Sequence, residues 1–265
     1  MQNNFKIYSV IFLLLTSVAN ASHSKKNAIP KVDKGNWITV QDNNIDSLEI
    51  DQNVDVIING NQKEQVKIYS PEVYAWHDNT TLHLQTKEFY DNSKVKHNVV
   101  LHDINSIKSI TMHDSSKLAV KHANNKNKLK IQAYDSSSFK LDGYFNISNI
   151  YYQSSASSKL LWANSDKIDI NMVNGMLEIA GVANILAART YNQAKLNATG
   201  LIGKTIYVNA SDTSVGSFYP EEFLYTQASD HSSVTYGNFK IQKTIMTNDR
   251  ANCNFVDLGY KNKKS

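Results

Sequence analysis

The chain has 265 residues, with 28 Lys and Arg against 24 Asp and Glu, giving a net charge of +4 at neutral pH. The excess is spread thinly and only positions 189 and 250 are Arg, which argues against nucleic acid as a partner, since that needs a concentrated basic face. Cys253 is the single cysteine, so no intramolecular disulfide can hold the fold and packing must do so.

The first 21 residues read as an export signal. Met1 to Lys6 is a short, weakly basic start, Ile7 to Val18 is apolar, and Ala19-Asn20-Ala21 is an A-x-A cleavage site. The apolar run is too short to span a bilayer comfortably, and no later run predicts a membrane span. Cleavage would remove Lys6 and no acid, lowering the charge by one to +3. Position 22 is Ser, so a lipid anchor there has no acceptor. The mature protein is therefore expected to be exported, to the periplasm, the outer surface or the medium.

Residues 22–36 are rich in Lys, Ser and Asn and read as a disordered lead-in. From Trp37 onward short alternating segments predict strands: 37–40, 48–50, 54–58, 66–69, 82–84, 99–101 and 107–112, with a turn at Asn59-Gly60-Asn61.

From Asp114 to Tyr236 a polar turn followed by an apolar-x-apolar strand recurs seven times. The turn begins Asp-Ser-Ser at 114 and 135, Ala-Ser-Ser at 156 and Asp-His-Ser at 230. Taking the apolar residue as marker gives Leu118, Phe139, Leu160, Leu177, Leu196, Val215 and Val234, in steps of 21, 21, 17, 19, 19 and 19 residues. A second apolar family falls between them, including Ile131, Ile147, Ile170, Ile185 and Ile206. A unit of about 20 residues holding only short strands cannot bury its apolar side alone, and stacking such units makes one continuous core. The expected fold is all-β: a single-stranded, right-handed parallel β-helix with coils of about 17–21 residues. It forms one domain over 37–265, with 238–265 as a Lys-bearing cap on the open end.

The order of these segments resembles the putative auto-transporter adhesin head (GIN) domain family. It is carried by Ile45 to Ile50, then Val54 to Ile58 with Gly60, then Val66-Lys67-Ile68, then Leu82-His83-Leu84, then serial Ser-Ser-x-Leu coils. The resemblance spans 37–236 and implies an exported bacterial parallel β-helix with no established catalytic residues. The chain lacks a C-terminal run of ten-residue amphipathic strands for a translocator barrel. Its 10 glycines are few for the family's Gly-Ser turns, and Asp, Asn and Ser stand in.

Chemistry is sparse. Polysaccharide-active β-helices need paired carboxylates or an acidic cluster beside a base. Asp166 and Asp169 beside Lys167 are the best local group, and they read as solvated loop chemistry. His97, His102, His113 and His122 lack metal-ligand spacing as a set, so no metal or cofactor is expected. The Asp and Ser of the turns read as turn formers, and Cys253 as a small apolar residue. Lys117, Lys140, Lys159 and Lys195 fall at outward positions of the repeat and predict a positive stripe for anionic glycans or lipid headgroups. The expected function is thus non-enzymatic, adhesin-like or envelope-glycan-binding, with a polysaccharide lyase or hydrolase as the alternative.

Overall fold

The computed structural model describes residues 38–40, 45–52, 54–59, 66–69, 73–78, 80–86, 97–101 and 105–257. The export signal and the lead-in lie outside them. The described residues form strands and turns with no helix. The strands are β1 (Ile38–Val40), β2 (Ser47–Ile50), β3 (Val54–Asn59), β4 (Val66–Tyr69), β5 (Val73–Asp78), β6 (Thr81–Thr86), β7 (His97–Leu101) and β8 (Ser109–Met112). Six long strands follow: β9 (Lys117–Asp135), β10 (Ser138–Ser154), β11 (Ser157–Met172), β12 (Met176–Thr190), β13 (Lys195–Ala210) and β14 (Val215–Ala228). The last are β15 (Ser233–Tyr236), β16 (Gln242–Thr247) and β17 (Asn252–Phe255).

Parallel pairing of each long strand with the next builds a β-solenoid of about eight turns, as the repeat predicts. Each long strand bends twice and so contributes to three faces. Face 1 stacks Ile110, Ile131, Ile150, Ile170, Ala188 and Val208. Face 2 stacks Leu118, Phe139, Ser158, Leu177, Leu196, Gly216 and Val234, and face 3 carries 123–125, 143–147, 163–165, 181–183 and 201–203. Alternate residues point inward into one core running from Leu82 to Tyr236. Each fully buried Leu, Ile or Phe contributes about 1.5–3 kcal/mol relative to exposure, and this repeated burial replaces disulfides.

The sequence markers slip at two coils. Leu160 pairs with Leu141 rather than with Phe139, and Ser158 takes the inward place beside Phe139. This polar residue is admitted because the hydroxyl of the buried Tyr152 lies 3.0 Å from its Oγ, which also accepts the Phe139 N–H at 3.0 Å. Trp162, two residues beyond the Leu160 marker, is 58% exposed at a corner with φ 68°. In the sixth coil Gly216 is inward and Val215 outward, because the Phe218 ring fills the place a side chain at 216 would need.

The first levels are also out of chain order. β2 pairs in parallel with β6 on one side and β8 on the other, and β3 lies likewise between β7 and β9. The level holding 47–58 is therefore second in the stack, and the chain leaves it to build the end before returning at Asn105. The β5 strand, which the sequence does not predict, pairs antiparallel with β6, while β4 adds antiparallel to β7 and β1 antiparallel to β4, covering this edge. Asp46 ties the three segments together: Thr80 O accepts its N–H at 3.0 Å, and its carboxylate accepts from Ser47 Oγ at 3.0 Å and Lys108 Nζ at 3.1 Å. Bonding to Thr80, then Lys108 and Ser47, holds that carboxyl below the usual range. At the other end, within the segment expected as the cap, β16 pairs in parallel with β14 and β17 with β15, continuing faces 1 and 2.

The corner between faces 1 and 2 explains the low glycine count. Gln52, Asp114, Asp135, Asn192, Asp212, Asp230 and Asp249 occupy it with φ between 52° and 61°, in the left-handed region that Asp and Asn tolerate best among residues with a side chain. The amide of such a residue falls out of the backbone ladder. Here the Asp of the next coil accepts it: Gln52 N–H to Asp114 Oδ2 (3.1 Å), Asp114 to Asp135 (3.1 Å), Asn192 to Asp212 (3.0 Å), Asp212 to Asp230 (3.2 Å) and Asp230 to Asp249 (3.4 Å). The turn acids thus bond the preceding coil rather than their own backbone. Asp212→Ala is expected to destabilise the protein by about 1–3 kcal/mol, combining a lost acceptor with an unfavourable φ. Urea denaturation should rank wild type and Asp212→Asn above Asp212→Gly, and Gly above Ala.

Candidate functional site

Face 3 and its corner with face 1 form an open groove of about 940 Å³ crossing six coils, from β9 to β14. Its floor is set by the inward turn of Asn125, Phe145, Ser165 and Ala183, all buried. Asn125 can turn in because its Nδ2 donates to Ile107 O at 2.7 Å and its Oδ1 accepts the Asn127 N–H at 2.9 Å. The period-two alternation then points Asn124, Tyr144, Asn164 and Val182 outward along the groove, with Tyr144 61% exposed.

The corner supplies charge. Lys126, Lys128, Asp166, Lys167, Asp169, Asn184, Lys204 and Glu221 line it. Lys167 Nζ lies 3.0 Å from Asp169 Oδ2, Asn184 Nδ2 donates to Asp166 Oδ1 at 2.8 Å, and Lys204 pairs with Glu222 at 3.5 Å. Lys126 and Lys128 make no ion pair among the described residues, so this end of the groove holds uncompensated positive charge. The acidic group singled out in the sequence is thus in the groove, but as an amide-bonded Asp and an ion-paired Asp rather than as two carboxylates sharing a reacting centre.

The four lysines all project outward from face 2, yet they form no single stripe. Lys140 and Lys159 are register partners in one column, which continues to Glu178, and Lys159 Nζ bonds Glu178 Oε1 at 2.8 Å. Lys117 and Lys195 occupy the neighbouring column with Ser138, Ser157 and Met176 between them, about 19 Å apart at about 4.8 Å per coil. The slip of the Leu160 marker placed Lys159 in the wrong column.

Of the four histidines considered together, His102 lies outside the described residues, His97 is in β7, and His122 sits exposed at a corner with φ 55°. Among the described residues, His113 meets other candidate ligands, facing Glu49 and Asp51 on the outer side of face 1. No sequence spacing could suggest this, since β2 and His113 are separated by the whole excursion through β7. Cys253, on β17, is half-buried and free, and burial pushes its thiol up, which disfavours the nucleophilic thiolate.

Asp51 gives a pH test of that cluster. Desolvation first, then the Glu49 and Asp114 charges, raise its carboxyl above the usual range, while His113 opposes this. A carboxyl with a raised folded pKa is most stabilising when protonated, and that contribution is lost as pH rises from the unfolded carboxylate range through the folded value. Asp51→Asn is therefore expected to raise the melting temperature of chelator-treated protein at pH 7, with the gain shrinking towards pH 4 in a differential scanning series.

A family model described as "Putative auto-transporter adhesin, head GIN domain" matches residues 44–238, which include the whole groove. Among solved structures, one described as a putative adhesin from Parabacteroides distasonis is similar at 16% identity and a TM-score of 0.68, covering 83% of this chain and 95% of that one. A putative adhesin from Parabacteroides merdae aligns at 14% identity and TM-score 0.66, over 83% and 95% of the two chains. A putative lipid binding protein from Parabacteroides distasonis aligns at 14% and 0.66, over 83% and 96%. At these identities the likeness speaks to the fold alone. No curated protein matches the chain. Among the described residues no helix is long and apolar enough to cross a membrane.

Proposed function

Because the chain belongs to the auto-transporter adhesin head GIN domain family, we propose that it is an exported, adhesin-like protein that binds an extended anionic glycan along the groove of face 3. The observation that carries this reading is the groove itself, which over six coils combines an exposed aromatic ring, a row of amides and two cations that make no ion pair among the described residues. Tyr144 offers an apolar ring face to a sugar, Asn124 and Asn164 offer donors and acceptors to its hydroxyls, and Lys126 and Lys128 attract its carboxylate or sulfate groups. Rigid parallel stacking repeats these contacts along one line, which suits a polymer better than a small molecule. The export signal expected from the sequence, and Asp166 and Asp169 being engaged by Asn184 and Lys167, support a binding role over turnover. Lys117, Lys140 and Lys195 on face 2 carry no ion pair among the described residues and supply a wider positive field that steers such a polymer.

Titration calorimetry with a uronic-acid polysaccharide, a sulfated polysaccharide and a neutral glucan tests this. Wild type should bind the two anionic polymers and release them as salt rises, because the Debye length falls from about 10 Å at 0.1 M to about 3 Å at 1 M. Changing Tyr144, Lys126 and Lys128 together to Ser should weaken binding by at least about tenfold, roughly 1.4 kcal/mol. The change should leave the melting temperature nearly unaltered, since surface substitutions usually cost under about 0.5 kcal/mol. Loss of binding only when Lys117, Lys140, Lys159 and Lys195 are changed to Ser would move the site to face 2. Release of reducing or unsaturated ends, abolished by Asp166→Asn or Asp169→Asn, would instead make the protein a polysaccharide-active enzyme.

A further inference from the structure

Glu49 and Asp51 stand two residues apart on β2 and at its end, so the strand alternation sends both side chains to the outer side of face 1. His113 follows β8 in the next level, and its N–H donates to Ile50 O at 2.9 Å, which seats it beside them. One ligand atom from each of the three lies within 4.8 Å of the others, and all three residues are half-buried.

The surroundings fix two of these groups and leave the third unmet. Glu49 Oε2 is 2.8 Å from His83 Nδ1, whose Nε2 is 2.9 Å from Asp78 Oδ1, so one carboxylate oxygen of Glu49 is anchored and its second oxygen remains for another partner. The His113 ring lies flat against Tyr134, with centroids 4.9 Å apart and planes 3° from parallel, which sets the direction of its nitrogens. Asp51 accepts no hydrogen bond on its carboxylate among the described residues, although its neighbour Asp114 is engaged by the Gln52 N–H. A half-buried carboxylate without a donor, set beside a second carboxylate, is unmet negative charge that a cation would answer.

From this geometry we propose that Glu49, Asp51 and His113 bind one divalent transition-metal ion of the zinc class, with the remaining position open to water. One imidazole nitrogen with two carboxylates suits zinc and its first-row neighbours, whereas calcium takes six to eight oxygen ligands that this cluster does not supply. Bonds of about 2.0–2.2 Å bring tetrahedral ligands to about 3.3–3.5 Å from one another, so rotatable side chains need to close by roughly 1 Å. The Asp78–His83–Glu49 chain plays the orienting part that carboxylate–histidine pairs play around metal ligands. The bound ion joins the 47–51 level to the 109–113 level, which are adjacent in the stack but separated in sequence by the excursion.

The test uses the full chain without a polyhistidine tag, stripped with chelator and titrated with zinc chloride, magnesium chloride or calcium chloride. Calorimetry should give one zinc per chain, and the melting temperature should rise with zinc and saturate. Cobalt(II) should give visible ligand-field absorption. His113→Gln and Asp51→Asn should each weaken zinc binding at least tenfold and abolish the cobalt spectrum, while His231→Gln, at an exposed corner far along the stack, should change neither. Asp51→Asn keeps the shape of the side chain and serves as the test should His113→Gln fail to fold. Absence of a zinc-induced shift would overturn the proposal. So would a shift that survives both variants, or a response to calcium without one to zinc.

Discussion

Every feature of this protein depends on coil-to-coil registry, and registry here is held by two bonding systems. The parallel ladders run through the faces, where any sequence with the right alternation can pair. At the corner between faces 1 and 2 the backbone must turn through left-handed φ and the ladder loses an amide. The aspartates at Asp114, Asp135, Asp212, Asp230 and Asp249 both tolerate that conformation and return an acceptor to the coil before. In the fourth coil the left-handed residue is Gly175 with φ 72°, level with Ala194 rather than with Asn192, and a Cβ there would collide with the Ser154 carbonyl, so the fold accepts a residue without a side chain at that place.

Registry also decides what the surface can do. Residues about 20 apart become neighbours at about 4.8 Å spacing, so functional groups are assembled by column rather than by sequence proximity. Like charges on one column repel unless relieved, and the column of Lys140 and Lys159 is relieved at once by Glu178. The groove differs, because face 3 mixes Asn, Tyr and small residues outward while its corner holds Lys126 and Lys128, which make no ion pair among the described residues. Polar groups there are already aligned before any partner arrives, which lowers the ordering cost of binding a polymer.

The repeat period, the all-β class, the seven strands read in the N-terminal part and the family were legible because alternation and spacing report directly on backbone pairing. Two inward positions were not, since Ser158 and Gly216 look polar or empty in isolation and become core residues only beside Tyr152 and Phe218. Those two slips moved Lys159 and Val215 into the wrong columns. The groove was half legible: Asp166, Lys167 and Asp169 form a local group in the sequence, but Tyr144 and Lys126 join them only through the fold. The Glu49, Asp51 and His113 cluster was invisible, because a level inserted out of order has no periodic signature.

That out-of-order level has a mechanical consequence. In a solenoid built strictly in sequence, tension on either end of the chain peels off the outermost coil and then the next. Here a pull transmitted to Ile45 acts on β2 and β3, which are hydrogen-bonded on both sides, by β6 and β7 and by β8 and β9. The load meets an interior coil in shear, with many bonds strained together rather than one after another. At the opposite end β17 and β16 each have one strand neighbour among the described residues, so tension there opens the stack coil by coil. The molecule is polar under force, with a resistant N-terminal end and a C-terminal end that yields first.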